Sequence, residues 1–389
     1  MRFPSYSSEW HSYTLGEILT FYSTNSFSRE KLNYDTGSVK NIHYGDIHTK
    51  FPSIVSVSDN KDIPFINNEI DLSKYSEDQY LQNGDLIIAD ASEDYEDIGK
   101  AIEVKNIDDE KVLAGLHTIL ARDNNNITVN GFKAYLFSTN SLKTKIKIIA
   151  NGISVLGISK NSLSKLTVNV PSKNEQNDVV DFISLIDNKI ELLEQKHQYY
   201  LDFKKFLMQQ IFAQKLRFNF DDEWKQYKLK DVLTVKSSSI SINQLEENTG
   251  DYPLYGASGF LKNINFCEMD VDYISIVKDG SGVGNLSFHE KNSSIVNTSQ
   301  YLLPKKNFNI NFLYYLLQTI NLMKYVNGSS IPHIYFKDYC IEKINIPSLD
   351  EQEKIGKLFV DVDITMENLN KNINATQEFK KGLLQQMFV

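Results

Sequence analysis

Two cysteines in 389 residues, Cys267 and Cys340, give neither a disulfide framework nor a metal-ligand spacing. The chain has no HExxH and no CxxC, which removes the common zinc centres. It has no GxxxxGK[ST], so no phosphate loop of an ATP-driven motor, and no GxSxG nucleophile elbow. No Asn-Pro-Pro-aromatic element is present to orient an adenine or cytosine amino group. The N-terminus, MRFPSYSSEW, lacks an apolar signal segment. The most apolar stretch, from Ile146 to Ile158, is interrupted by Lys147, Asn151 and Gly152 and is too short and polar to span a bilayer. A global basic signature is missing as well: the net charge is −9 and the pI about 5.4. Taken alone, that argues against nucleic-acid binding, unless a local basic groove or a basic partner supplies the attraction. These absences predict a soluble cytoplasmic chain without a membrane segment, long enough for two or three domains.

What the chain does contain is repetition. Residues 203–212 read FKKFLMQQIF and residues 379–388 read FKKGLLQQMF, identical at seven of ten positions. At the same offset of 176, Asn151, Gly152, Ser154 and Ile158 fall on Asn327, Gly328, Ser330 and Ile334. Pro171-Ser172 falls on Pro347-Ser348, and Glu175-Gln176 on Glu351-Gln352. The openings match at an offset of 214, EWHSYTLGEIL at 9–19 on EWKQYKLKDVL at 223–233. The offset falls from 214 to 176, so the middle of the second half is 38 residues shorter. Like ends with unlike middles suggest one frame carrying two different inserts.

After each Pro-Ser the sequence becomes helical. Val179, Ile183, Ile186, Ile190, Leu193, His197, Tyr200, Lys204, Leu207 and Ile211 recur in steps of four and three, the seam of a coiled coil. The second half repeats it in phase from Ile355, Phe359 and Val362 to Lys380, Leu383 and Met387. Each apolar stripe needs a partner, and the repeat favours an antiparallel pair of helices about 60 Å long. His197, Lys204 and Lys380, polar within the seam, fit register-setting roles or exposed ends. The middles, 20–150 and 234–326, alternate short β-like runs with polar loops and predict two α+β globules. The loop Asp279-Gly280-Ser281-Gly282-Val283-Gly284-Asn285 departs from GxGxxG, and LSFHEKNSS after it does not open a helix, so a tight turn fits better than a nucleotide cradle. The acidic run Asp90, Glu93, Asp94, Glu96, Asp97 reads as a solvated face or a contact to a basic partner; a single carboxylate there can accept from a cytosine amino group.

Taken together, these elements resemble the DNA-specificity subunit of type I restriction–modification systems over nearly the whole chain. The resemblance rests on the paired Pro-Ser-x-x-Glu-Gln helix starts, the FKKxLxQQ endings and the Trp-x-x-Tyr-x-Leu openings at Trp10 and Trp224. Ile42-His43-Tyr44-Gly45-Asp46-Ile47 and Gly84-Asp85-Leu86 add to it in the first insert, and 252–259, YPLYGASG, in the second. It implies an α+β fold with a pseudo-two-fold repeat: two globular target-recognition domains, 1–170 and 216–346, separated by two long antiparallel coiled-coil helices, 171–215 and 347–389. It implies that each domain reads half of a split site in double-stranded DNA. The helices would set the spacing and dock two methyltransferase subunits, and motor–nuclease subunits would join for cleavage. No catalysis, metal or cofactor is expected in this chain; adenosylmethionine, and ATP with Mg for cleavage, are expected in the partners.

The expected DNA-binding residues are His43, Tyr44, Asp46, His48, Thr49, Lys50 and Ser92 in the first domain. In the second they are Tyr255, Ser258, Lys278, Ser281, Ser299, Gln300 and His333. Phe203, Leu207, Phe212, Phe379, Leu383 and Phe388 are the expected partner-binding residues. By the repeat, Trp10 should sit beside the end of the second helix, near Phe388 and Val389. Two other readings stand beside this one: an adenosylmethionine-dependent methyltransferase or single-chain restriction–methylation enzyme, for which the duplicated frame leaves little room, and a coiled-coil scaffold without a nucleic-acid role.

Overall fold

The computed structural model describes residues 2–58, 60–245 and 249–388. The chain forms two compact units, Met1–Leu192 with Ile373–Val389, and Leu193–Asn372.

In the first unit the insert is built from β1 Thr20–Tyr22, β2 Lys40–Ile42, β3 Phe65–Ile66, β4 Leu86–Ala89, β5 Ala101–Lys105, β6 Val112–Ala114 and β7 Thr118–Arg122. The principal sheet has the order β1-β7-β4-β5, extended past β5 by Ile54–Ser56. The β4 strand, Leu-Ile-Ile-Ala, is central and buried throughout, which is why its apolar run is continuous rather than alternating. A second sheet runs β6-β2-β3, with β6 and β2 parallel. One core cluster joins Ile42, Val112 and Ala114 of the second sheet to Ile87, Ile102 and Leu120 of the first. The helix α1, Phe132–Phe137, covers the principal sheet and is buried at every position. It starts at Gly131, whose φ of 90° and whose 2.9 Å spacing from an added Cβ to Val180 both require glycine. The long helix α2, Lys173–Phe212, follows the frame strand Thr167–Val170, which pairs with His11–Thr14.

The second unit repeats the plan with β8 Leu233–Ser237, β9 Tyr252–Gly256, β10 Gly259–Ile264, β11 Tyr273–Val277, β12 Leu286–His289, β13 Ser294–Ile295 and β14 Ser299–Pro304. Its sheets have the orders β8-β14-β11-β12 and β13-β9-β10. The seven named strands keep the order of the first insert, including a parallel pair, β13 on β9 in the place of β6 on β2; the first insert alone adds Ile54–Ser56, parallel to β5, and Leu32–Asn33 beside β3. The helix α3, Ile310–Gln318, takes the place of α1, and α4, Leu349–Met387, that of α2. The middles that look unlike in sequence thus share one topology. The length difference lies in connections: residues 43–64 join β2 to β3, whereas Ala257 and Ser258 alone join β9 to β10.

The seam is present residue for residue. Val179, Ile183, Ile186, Leu207 and Ile211 are buried on α2, as are Ile355, Phe359, Val362, Leu369, Ile373, Leu383 and Met387 on α4. In each unit the first half of one long helix packs on the last half of the other, an antiparallel pairing. Lys380 and Lys204 are register devices. In the first unit Lys380 Nζ lies 2.5 Å from Asp187, which also accepts from Tyr135 Oη at 3.0 Å. In the second, Lys204 Nζ lies 2.6 Å from Asp363, which accepts from Tyr315 Oη at 2.7 Å. Each ammonium also stands over the ring of its tyrosine, at 5.5 and 5.1 Å. Trp10 packs edge-on against Phe388 at 6.1 Å, as the repeat predicts; Val389 lies outside the described residues.

Lys380→Ala removes the ammonium from Asp187 and its aliphatic stem from the seam, and is expected to cost about 1–3 kcal/mol. Asp187→Asn preserves shape and should cost less. Urea unfolding followed by circular dichroism measures both; wild-type stability in Lys380→Ala would show that the pair carries no weight.

Candidate nucleic-acid interface

Four backbone segments meet at the end of β4. Gly115 N donates to Ile42 O (2.8 Å), Asp90 N to His117 O (3.1 Å) and Ile158 N to Asp90 O (2.9 Å). These bonds bring together the start of the His43–Tyr44 segment, the corner after β4, the β6–β7 turn and the loop 151–157. In the second unit Val296 N donates to Tyr255 O (3.0 Å), Lys278 N to Thr298 O (2.9 Å) and Ile334 N to Lys278 O (2.9 Å). The two junctions are therefore equivalent, with Asp90 in the place of Lys278 and His117 in that of Thr298. The loops 151–157 and 327–333 are each closed by a two-bond bridge, Asn151 with Gly157 and Asn327 with His333. Both raise apolar side chains into solvent: Ile153 and Val155 in the first, Ile331 in the second.

The first junction is rich in rings. Tyr44 lies 4.7 Å from His43, 6.0 Å from His48 and 5.3 Å from His117. His117 is held at a φ of 54°, unusual for a residue with a side chain. Its Nδ1 is 3.5 Å from Asp90 Oδ1, and burial raises the carboxyl of Asp90 above its ordinary range. His117 is not among the expected contacts; Asp90 is named only within the acidic run, read as a solvated face or a contact to a basic partner in which one carboxylate can accept from a cytosine amino group. The left-handed backbone of His117 has no signature in a single sequence.

The expected contacts in the first unit divide by what already occupies them. Asp46 is 1% exposed and accepts a fork from Arg29 at 2.8 and 3.1 Å, with Lys50 at 3.3 Å. His43 caps the helix that begins at Tyr44 by accepting from Gly45 N, and burial and Arg29 lower its pKa. Ser92 is buried and donates to Asp94 O. These three side chains are already engaged within the fold. Tyr44, Thr49 and Lys50 keep exposed surface, and Lys50 also meets Tyr34 Oη at 2.8 Å. His48 is bound through Nε2 to Ala91 O at 3.1 Å.

In the second unit Ser299 is buried and Gln300 donates to Ser237, so both serve β14. Tyr255 packs on His289 at 4.4 Å. Ser258, Lys278, Ser281 and His333 converge around the corner after β11: Gly280 N donates to Pro332 O at 2.9 Å, and an added Cβ on Gly282 would touch Ala257 at 3.4 Å. The glycine loop is a turn, with Gly284 N donating to Val277 O at 2.8 Å, and β12 follows it. It has no helix N-terminus to hold a phosphate. Among the described residues, no group of three His, Cys, Asp or Glu side chains is placed to hold a metal ion, and no helix is long and apolar enough to cross a membrane.

Of the expected partner-binding residues, Phe203 and Phe379, mates under the repeat, are 47% and 57% exposed. Leu207, Leu383 and Phe388 are buried and Phe212 is half-buried against Phe312 and Phe359; all four are spent on the cores of the units.

Comparison with known proteins agrees with this architecture. The family model described as type I restriction modification DNA specificity domain matches residues 7–199 and again 221–377. The MjaVIII type I restriction enzyme specificity subunit of Methanocaldococcus jannaschii is 27% identical over 181 residues, 43% of this chain and 42% of that protein. The chain therefore spans less than half the length of this relative and of the putative MjaX subunit from the same organism, at 46%. A putative type I specificity subunit of Mycoplasma genitalium is 23% identical over 65% of this chain and 69% of its own. The crystal structure of a type I S subunit from M. genitalium superposes on 100% of this chain and 99% of that one, with a TM-score of 0.66 at 17% identity, a likeness of fold.

His289 is buried under Tyr255 and Tyr273 with Nε2 2.9 Å from Ser275, and burial pushes its pKa down to about 4. The unfolded chain, near 6.5, binds the proton that the folded chain refuses, so stability falls as pH drops from about 6.5 toward 4. The melting temperature of wild type should fall between pH 7 and pH 5 more steeply than that of His289→Phe. Parallel curves would refute the assignment.

Proposed function

The chain belongs to the type I restriction–modification DNA specificity family, and we propose that it reads a bipartite site in double-stranded DNA, one half-site per insert, without catalysing a reaction itself. The observation that carries this reading is the equivalence of the two junctions: one strand frame, made twice, presenting different side chains at the same backbone positions. A reader of two unlike half-sites needs that arrangement, with rigid strand ends holding side chains that differ. A scaffold has no use for it.

In this reading two methyltransferase subunits dock on the long helices, with Phe203 and Phe379 as matched anchors. They bring adenosylmethionine, and motor–nuclease subunits bring the ATP- and Mg-dependent step. The negative net charge fits binding shared with partners that carry the phosphate contacts. Both long helices contribute residues to both units, so their length sets the unread gap between the half-sites.

Mapping methylated adenines genome-wide in cells with and without the gene is the direct test. The expected result is one bipartite motif that vanishes with the gene, while the purified chain with adenosylmethionine transfers no methyl group. Methyl transfer by the chain alone would favour the enzyme reading instead. Adding one heptad to both helices together, after Leu193 and after Leu369, should lengthen the gap and leave the bases at each end unchanged. A folded variant that methylates sites with the original gap would end the ruler idea.

A further inference from the structure

The two junctions differ most sharply where β4 and β11 end. There the backbone is pinned from both sides: the N–H of Asp90 is bonded to the β6–β7 turn and its C=O to Ile158, and Lys278 is pinned in the same way to Thr298 and Ile334. Of the equivalent pairs related by these backbone bonds, this one carries side chains of opposite charge. Both side chains are partly open, at 30% exposure for Asp90 and 24% for Lys278. Asp90 lies 3.5 Å from His117 Nδ1 and also feels the charge of Lys160, and Lys278 lies 3.2 Å from Asp279 Oδ2.

We propose that Asp90 and Lys278 are matched base-reading residues, an acceptor in the first insert and a donor in the second, at one structurally equivalent position of the two half-sites. This rests on the reading of the chain as a bipartite DNA reader. A carboxylate only accepts, so Asp90 recognises the exocyclic N4 amino group of a cytosine in the major groove. An ammonium only donates, so Lys278 recognises guanine O6 and N7. Pinning matters because a base edge is distinguished by hydrogen-bond geometry, and a side chain on a loose loop can follow a wrong base to a second-best contact. His117 lies against the acceptor, its Nδ1 3.5 Å from Asp90 Oδ1. The glycine loop that follows Lys278 carries no side chain at Gly280, where an added Cβ would meet nothing within 4 Å, so the duplex can approach closely.

The test co-expresses the full chain with its methyltransferase subunit and maps the methylated motif for wild type, Asp90→Ala, Asp90→Asn and Lys278→Met. Asp90→Ala is expected to relax one base pair of one half-site, and Lys278→Met one base pair of the other. Against duplexes altered only at that pair, discrimination should fall by about 5- to 150-fold. Asp90→Asn keeps the shape and can pair two bonds with adenine, so it should move the preferred base at the same position toward adenine; it carries the test should the alanine variant fail to fold. An unchanged motif in Asp90→Asn would overturn the proposal. So would a Lys278→Met variant that binds all sequences more weakly with its motif intact, which is the behaviour of a phosphate contact. A wild-type chain that directs no bipartite methylation would sink the parent reading together with this one; a wild-type motif retained by every variant would sink this one alone.

Discussion

Two buried carboxylates decide where everything else hangs. Glu175 and Glu351 stand in the first turns of the long helices, at 1% and 0% exposure, and each is held by a guanidinium: Arg2 at 2.6 Å and Arg217 at 2.7 Å. A carboxylate near a helix N-terminus is favoured by the free N–H groups there, but burying it without a cation would be strongly unfavourable. The arginine must therefore come to it, and with the arginine comes the segment that leads into Trp10 or Trp224. The neighbouring Gln176 and Gln352 complete the anchor. Gln176 accepts from Val129 N at 2.8 Å and donates to Pro171 O at 2.9 Å. Gln352 accepts from Asn309 N at 2.9 Å and donates to Pro347 O at 3.0 Å. One helical turn thus fixes the opening segment, the end of the frame strand and the approach to α1 or α3.

That anchoring explains how two inserts can diverge while their junctions stay superimposable. Strand pairing needs only the right pattern of buried apolar side chains and free backbone groups, so sequence identity between β4 and β11, or β7 and β14, is not required. The corners after β4 and β11 are fixed by backbone bonds, so the side chains of Asp90 and Lys278 are free to differ. A duplicated frame of this kind offers two independently variable faces.

The parts legible in the sequence were those in which a side chain answers to a period or to a buried partner. The coiled-coil seam was readable because burial imposes steps of three and four, and Trp10 could be placed beside Phe388 because Trp224 follows the helix end at Phe212 by a short link and the repeat carries that neighbourhood over. The Pro-Ser-x-x-Glu-Gln element was visible as a recurrence, though its reason, a buried carboxylate seeking Arg2 or Arg217, was not. The shared topology of the inserts was hidden because it resides in pairing, which leaves no trace in identity. Asp46 shows the opposite failure. A polar residue in a family-like loop looks like a contact, yet Asp46 is buried against Arg29, 17 positions upstream, and Lys50.

The charge balance follows from the same division of labour. Phosphate attraction is long-ranged and indifferent to sequence, whereas base reading acts at hydrogen-bond distance. A net charge of −9 gives no global attraction to a polyanion but does not hinder recognition at contact. A carboxylate at Asp90 makes the same point locally: it repels phosphates at a distance and becomes favourable only when an amino group faces it. An acidic reader whose affinity comes from partners would bind no DNA indiscriminately before assembly. On the proposed reading, the salt dependence of binding resides in the partners' cations and the choice of sequence in a few pinned side chains of this chain.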